Sequence, residues 1–343
     1  HKKANRGRAL QENVREFAAE IIAEIRDMAD VENAEITGEY RRFSDTVNGL
    51  SFLIAGSGDN DVENKVRDKI DNKIAKKELE SLKSEHFKIE IKRTEPENFY
   101  AVLHQTTGSE DYLKGFNEII QSKGIELKDS GYSEDGAKFQ PEKEKEIYQK
   151  AGIQYVPPEL REKEAAVEAA QKNEIPRLLE YNDLKGMLHC HSTWSDGHNS
   201  IKEMALASKE LGFSYFAICD HRQSAGYANG LTPDRVIAQH EEVDKLNEED
   251  IGIPIIKGIE SDIIPDGSLD YDEDTLKLFD MVVVSIHSAF KMSKERMTQR
   301  IISALKSPYT AMLGHPTGRL LLVRPPYELE LKDIIDCAAD YGK

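Results

Sequence analysis

The sequence predicts an α/β chain in two unlike parts, an α+β body followed by a parallel βα array closer to a barrel than to an open sheet. Three observations predict it. From Met187 onward, short apolar runs alternate regularly with helical patterns. Before that point helices and half-buried strands follow one another without a βα rhythm. No Gly-rich phosphate loop follows the first apolar run of the second part, which argues against an open nucleotide-binding sheet.

Residues 8–28 carry a helical stripe, Leu10, Val14, Phe17, Ala18, Ile21, Ile22, Ile25 and Met28, spaced by three and four. Short extended segments are expected around Glu35–Thr37 and Leu50–Ala55, with the basic turn Arg41-Arg42 between them. A charged helix is expected over 61–83, carrying Lys65, Arg67, Lys69, Lys73, Lys76, Lys77 and Lys83. Interleaved acids make it a solvated face first and a nucleic-acid face second. Phe87-Lys88-Ile89-Glu90-Ile91-Lys92 alternates as a half-buried strand does, and helices at about 96–105 and 109–123 complete this half.

Residues 129–185 shift in composition: Gly131, Gly136 and Pro141 break the pattern, and a Lys/Glu-rich helix follows. Then come Val156-Pro157-Pro158-Glu159, a charged Ala-rich stretch from Glu162 to Lys172, and Pro176. This stretch is expected to be a linker and the natural domain boundary. Beyond it, apolar runs at Met187–His189, Tyr215–Cys219, Ile253–Ile259, Met281–Ile286 and Ala311–Leu313 read as strands buried on both faces. Helical segments at 200–212, 233–248, 294–306 and 330–341 lie between or after them.

At 343 residues the chain is too long for one ordinary core. Lys+Arg number 46 against 63 Asp+Glu, a formal charge of −17. That balance opposes indiscriminate nucleic-acid binding, although a local basic face could still bind it. No apolar run approaches the ~18–20 residues of a membrane span, and no signal peptide is visible. A cytosolic protein without a membrane partner is expected. Cys190, Cys219 and Cys337 form no Cys-x-x-Cys pair, which argues against a disulfide framework or thiolate zinc site. Cys190 and Cys219 fall in apolar runs and are expected as buried free thiols. His1 opens the chain without an initiator Met, and Lys343 follows directly on a helical pattern, so a piece of a longer protein is expected.

The chemistry is carried by residues at the carboxyl ends of the apolar runs. Leu188-His189-Cys190-His191 ends the first, Ile218-Cys219-Asp220-His221 the second, Ile259-Glu260 the third, Ser285-Ile286-His287 the fourth and Leu313-Gly314-His315 the fifth. Active groups of parallel α/β barrels gather at that end of the strands. Asp196, in the turn after the first run, can fold back over the same face. In a His-x-His pair on a strand both imidazoles point one way and can reach one ion. Imidazole and carboxylate without thiolate suit zinc, manganese or iron. Seven donors exceed the need of one ion, so a cluster is implied, with Glu260 as the bridging carboxylate. Any one of these histidines alone would read as a hydrogen-bonded core residue; their common register outweighs that. Arg319 and Lys257 could add cationic contacts to phosphate, or serve as structural ion-pair partners. His198 and His240 are expected at the surface, and His1, His86 and His104 show no partner pattern.

The segment "LHCHSTWSDGHNSIKEMALASKELGFSYFAICDH", with "KGIESDIIPDGSLDY", "VVVSIHSAF" and "LGHPTGRLL", closely resembles the polymerase-and-histidinol-phosphatase (PHP) domain at the carboxyl end of bacterial family X DNA polymerases. The resemblance covers residues 184–343 almost without gaps and implies a distorted (β/α)7 barrel with a trinuclear metal site. By resemblance, His189, His191 and Glu260 hold one ion; Glu260, His287 and His315 a second; Asp196 and His221 a third. In this family a later Asp-x-His motif supplies two further ligands, and this sequence stops before it. The implied activity is a divalent-metal-dependent (Mn, Zn or Fe) 3′–5′ exonuclease acting on DNA ends in repair.

The first half is similar, more weakly, to the palm and thumb of the same polymerases. In "ITGEYRRFSDTVNGLSFLIAG", Gly38, Arg41 and Arg42 match the family pattern. Glu39 replaces the Ser that would contact the triphosphate, and Gly49 and Ser51 occupy the positions of the two metal-binding aspartates. Glu90 is the candidate third acid. In "HQTTGSEDY", Gln105-Thr106 replaces the aromatic pair that packs on the nucleotide sugar. The implied division is a helical remnant of the DNA-binding or fingers region at 1–27, a palm at 28–98, a thumb at 99–150, a linker at 151–183 and the PHP domain at 184–343. The favoured expectation is a nuclease carrying an inactive polymerase body, with gapped or 3′-ended duplex DNA as partner and no protein partner. The alternatives are a histidinol-phosphatase-like phosphomonoesterase, an active family X polymerase, and a non-catalytic DNA-binding scaffold.

Overall fold

The computed structural model describes residues 7–56, 61–76, 86–128, 131–134, 137–222 and 228–343. The chain forms two units, His1–Arg177 with Leu321–Val323, and Leu178–Leu320 with Arg324–Lys343.

In the first unit the helix Gln11–Arg26 buries Val14, Phe17, Ala18, Ile21, Ile22 and Ile25, the apolar stripe seen in the sequence. It shares one core with Ile36, Leu50, Phe52 and Ile54 of a three-stranded sheet. In that sheet Asn33–Thr37 pairs antiparallel, and Lys88–Thr94 parallel, with the central strand Gly49–Ala55. The expected division at residue 27 therefore falls inside a common core. The charged helix, described over Asp61–Lys76, adds Val66 and Ile70 to it. Lys65 pairs with Asp30 at 3.5 Å, Lys69 with Glu24 at 3.8 Å, and Lys73 with Glu20 at 2.9 Å and Glu24 at 2.5 Å. The solvated, acid-paired face is the one observed; Lys77 and Lys83 lie outside the described residues.

A further core in this unit joins helices Phe99–Thr107, Glu110–Ser122, Glu144–Ala151 and Glu164–Gln171 to a small antiparallel sheet. Its strands are Ile125–Lys128, Gly131–Glu134 and Ala137–Phe139. Sequence reasoning missed this sheet, because strands of three or four residues are too short to display an alternation. The stretch expected as a linker over 151–183 instead supplies Ala151, Val156, Val167 and Ala170 to the core. Only Val167 and Ala170 mark the apolar side of its short helix, and the surrounding charges mask them.

His104 lies at the centre of this core, fully buried, with Nδ1 2.8 Å from the Tyr132 hydroxyl and Nε2 3.0 Å from that of Tyr148. Burial, reinforced by the nearby Arg161, pushes its pKa down to about 3. Its partners stand 28 and 44 positions away, which is why no local pattern announced them. Beside it Arg161, also fully buried, places Nη1 2.6 Å from Glu144 Oε1.

The second unit is built on five parallel strands whose spatial order follows chain order: Gly186–Cys190, Tyr215–Ile218, Ile255–Asp262, Met281–Ser285 and Thr310–Leu313. Helices Ile201–Glu210, Pro233–Glu248 and Lys294–Leu305 lie in three of the crossovers, and the short Glu273–Leu276 in the fourth. Ser200, Thr232 and Ser293 cap three of these helices through side-chain oxygens, which fixes where each crossover turns back. Sequential parallel order is that of a curled barrel wall. Cys219 is buried and Cys190 half-buried, both as free thiols. His240 departs from expectation: it is buried, 5.1 Å from the Phe279 ring, and burial pushes its pKa down to about 4. It continues the stripe Val236, Gln239, Val243, Leu246, which its polar members disguise. No helix among the described residues is long and apolar enough to cross a membrane.

Candidate metal centre

Parallel register brings the carboxyl ends of the five strands side by side. Glu260, 1% exposed, sits near the end of the middle strand. Five imidazoles converge on it. His189 Nε2 lies 3.3 Å from Oε1, His287 Nε2 3.4 Å and His315 Nε2 2.9 Å. His191 Nε2 lies 3.5 Å and His221 Nδ1 3.0 Å from Oε2. His189 and His191 alternate around Cys190 and so share a face of the strand. Asp196 reaches back over that face, Oδ1 3.3 Å from His191 Nδ1 and Oδ2 3.6 Å from His221 Nε2. All seven sequence-derived residues therefore meet.

Three triads hold ligand atoms within 4.8 Å of one another: His189, His191, Glu260; His191, Asp196, His221; and His221, Glu260, His287. His315 joins through Glu260 and through His287, whose Nε2 is 3.2 Å from its own. Burial opposes the Glu260 charge, but hydrogen bonds from His189, His221, His287 and His315 outweigh it and hold the carboxyl far below the usual range. The donor set suits a divalent ion. Among the described residues, buried His191 Nδ1 makes no hydrogen bond of proper geometry, a cost of roughly 1–3 kcal/mol that a cation would offset.

Sequence reasoning missed Asp262. It stands two residues beyond Glu260, on the same face of the strand, and its Oδ1 is 2.5 Å from His287 Nδ1. Burial and this carboxylate oppose each other at His287, and the carboxylates win, raising its pKa to about 9. The spacing by two was the available signal. Of the two roles expected for Lys257, the ion-pair one is observed: three residues before Glu260, it pairs with Asp244 at 2.6 Å. Arg319 is exposed in the loop after His315.

Residues 187–341 match the family model of the PHP domain, and residues 102–162 that of the DNA polymerase beta thumb. Over 309 residues, 88% of this chain, the sequence is 36% identical to the DNA polymerase/3′-5′ exonuclease PolX of Bacillus subtilis (strain 168). Over most of its length the chain is thus similar to a family X polymerase that carries a PHP domain. It spans 54% of the Bacillus protein's length. It is also 31% identical over 161 residues to a protein of Caldicellulosiruptor bescii named "Probable phosphatase", and 32% identical over 161 residues to a Thermoanaerobacter sp. (strain X514) protein of like name. Those matches cover 45% of this chain and 61% and 60% of the respective relatives.

The palm-like face of the first unit is differently furnished. Gly49 and Ser51 lie on the central strand, in parallel register with Lys88 and Glu90. Ser51 Oγ donates to Glu90 Oε2 at 3.2 Å. A Cβ at Gly49 would stand 2.3 Å from the Lys88 carbonyl oxygen, so backbone occupies the space of a side chain. Glu39 accepts from Arg8 Nη2 at 3.1 Å and from the Asn48 amide at 3.0 Å. Arg41 is paired with Glu144, and Arg42 Nε with Glu162 at 2.7 Å. Both arginines are thus committed to acids within this unit.

Proposed function

We propose that the chain is a metal-dependent phosphoesterase that releases nucleotides from DNA 3′ ends in repair, attached to a polymerase-like body that holds gapped or 3′-ended duplex without extending it. The convergence of five imidazoles on the buried Glu260 carries this proposal; a core that needed only packing would not gather them at one strand end. His189, His191 and Glu260 would hold one ion, Glu260, His287 and His315 a second, and Asp196 with His221 a third, the metal being Mn, Zn or Fe. Divalent ions held there supply Lewis-acid chemistry, easing the attack of water on a phosphoester. Glu260 stays ionised among its histidines, and Asp262 fixes the ring of His287. Asp196 and His315 are each more than two-fifths exposed, so a phosphoester can approach from their side. The cytoplasm suits such a substrate.

Relatives named as phosphatases match 161 residues of this chain, about the length of its PHP match, which favours a second reading: hydrolysis of a small phosphomonoester. One experiment separates the two. A duplex with a labelled 5′ end and recessed 3′ end, and histidinol phosphate, are each incubated with the chain and Mn²⁺. Stepwise shortening of the DNA strand, lost in the His189→Ala/His191→Ala double variant with circular dichroism unchanged, is expected. Undiminished shortening by that variant sinks the proposal, and turnover of the monoester alone favours the second reading.

A further inference from the structure

Asp220 plays no part in the metal set, yet it is completely buried directly before His221. Its Oδ1 accepts from the Ser192 amide at 2.7 Å and from Ser195 Oγ at 2.5 Å. Its Oδ2 accepts from Ser192 Oγ at 2.7 Å and from Gln239 Nε2 at 2.6 Å. Four donors fill the acceptor positions of one carboxylate, and Ser192 and Gln239 are buried as fully as Asp220.

The bonded residues are informative. Ser192 directly follows His191, and Ser195 directly precedes Asp196. The turn between them closes on itself: the amides of Ser195 and Gly197 donate to Ser192 O at 3.1 and 2.9 Å. At Gly197 a Cβ would fall 2.1 Å from His191 O, so only glycine lets the turn fold back this closely. One buried carboxylate therefore adjoins all three members of the triad His191, Asp196, His221. Asp196 itself is 44% exposed, on a turn also tied to the helix Pro233–Glu248, where Arg235 Nη2 donates to Trp194 O and Glu242 accepts from Trp194 Nε1.

We infer that Asp220 is a positioning residue: it sets where Asp196 stands against His191 and His221, and so governs the ion of that triad, an inference that rests on the metal centre proposed above. A carboxylate serving only the core would change stability. One that positions Asp196 changes the binding of one ion and spares the rest. Removing an outer-shell partner of this kind typically weakens metal binding by about 10–100-fold.

The test is equilibrium dialysis against Mn²⁺ with elemental analysis, on the unaltered chain and on Asp220→Asn, Ser195→Ala and Asp196→Ala, with melting followed by circular dichroism. Asp220→Asn is expected to lose the same ion as Asp196→Ala, while the remaining Mn²⁺ binds as before. Ser195→Ala, which removes one of the four donors, is expected to weaken that ion less, with melting unchanged, and this variant decides the matter if Asp220→Asn fails to fold. Unchanged Mn²⁺ binding in Ser195→Ala and Asp220→Asn overturns the inference, as does uniform weakening of all ions with a lowered melting point. Absence of Mn²⁺ from the unaltered chain overturns the metal centre itself, which separates the two failures.

Discussion

Arg41 and Glu144 stand 103 positions apart and meet in a two-point ion pair, Nη1 to Oε1 at 3.0 Å and Nη2 to Oε2 at 2.5 Å. Glu144 is also the partner of the buried Arg161, so one carboxylate compensates two guanidinium groups. Burial opposes its charge, yet the arginines hold its pKa at about 2.

Replacing Glu144 with Ala leaves Arg161 charged and uncompensated in the core. Breaking a buried pair from one side costs about 3–5 kcal/mol. Urea unfolding followed by near-ultraviolet circular dichroism of the Tyr112, Tyr132 and Tyr148 cluster should show a loss of that order. An unchanged midpoint would argue that the pair is neutral to stability.

The same core should weaken in acid. His104 is held at about 3 against an ordinary 6.5, so below pH 6.5 the unfolded chain binds a proton that the folded chain refuses. Stability then falls with falling pH, by roughly 1.4 kcal/mol per pH unit, until about 3. Glu144 acts in the same direction lower down: its contribution is complete above 4.5 and is lost toward about 2. His104→Gln should flatten the slope between pH 6.5 and 4.5 in the tyrosine signal. Trp194, the single tryptophan, belongs to the other unit and provides an independent signal there.

Asp262→Asn should weaken Mn²⁺ binding about 10–100-fold by releasing the His287 ring. Lys257→Ala should leave phosphoester cleavage unchanged, since its ammonium is paired with Asp244. A Mn²⁺ titration of the first and a rate measurement of the second check both. Impaired cleavage by Lys257→Ala would restore that lysine to the site.

Placing aspartates at Gly49 and Ser51 should not produce primer extension. The Lys88 carbonyl lies where the Gly49 side chain would begin, so Gly49→Asp must displace the neighbouring strand. Synthesis on gapped DNA by the double variant, with His189 and His191 replaced to prevent degradation, would contradict this account. Lower stability without extension is expected.

Six of the seven candidate metal donors were legible because they end apolar runs, and a parallel sheet carries that one-dimensional regularity into space; Asp196 was read from the turn that follows the first run. Asp262 was half-legible, through its spacing from Glu260. Asp220 was not: the same letters serve a carboxylate that faces a metal and one that faces two serines and a glutamine. The barrel strands and helices were readable from periodicity to within a few residues. The small sheet at 125–139 and the packing of 151–171 were not, since short elements stabilised by distant tyrosines leave no periodic trace.

Sequential strand order has a consequence for folding fidelity. Met281–Ser285 reads Met-Val-Val-Val-Ser, apolar toward both faces. A strand of that kind can slip by one residue at little hydrophobic cost, because either register buries similar side chains. The polar letters at its end cannot. A one-step slip would turn His287 away from Glu260, and the same holds for His189 and His315 on their own strands. Any cation bound at this centre therefore stabilises only the chain whose strands are all in step, by mass action and in proportion to the logarithm of its concentration. A cation held there would thus select sheet alignment, apart from any chemistry it supplies.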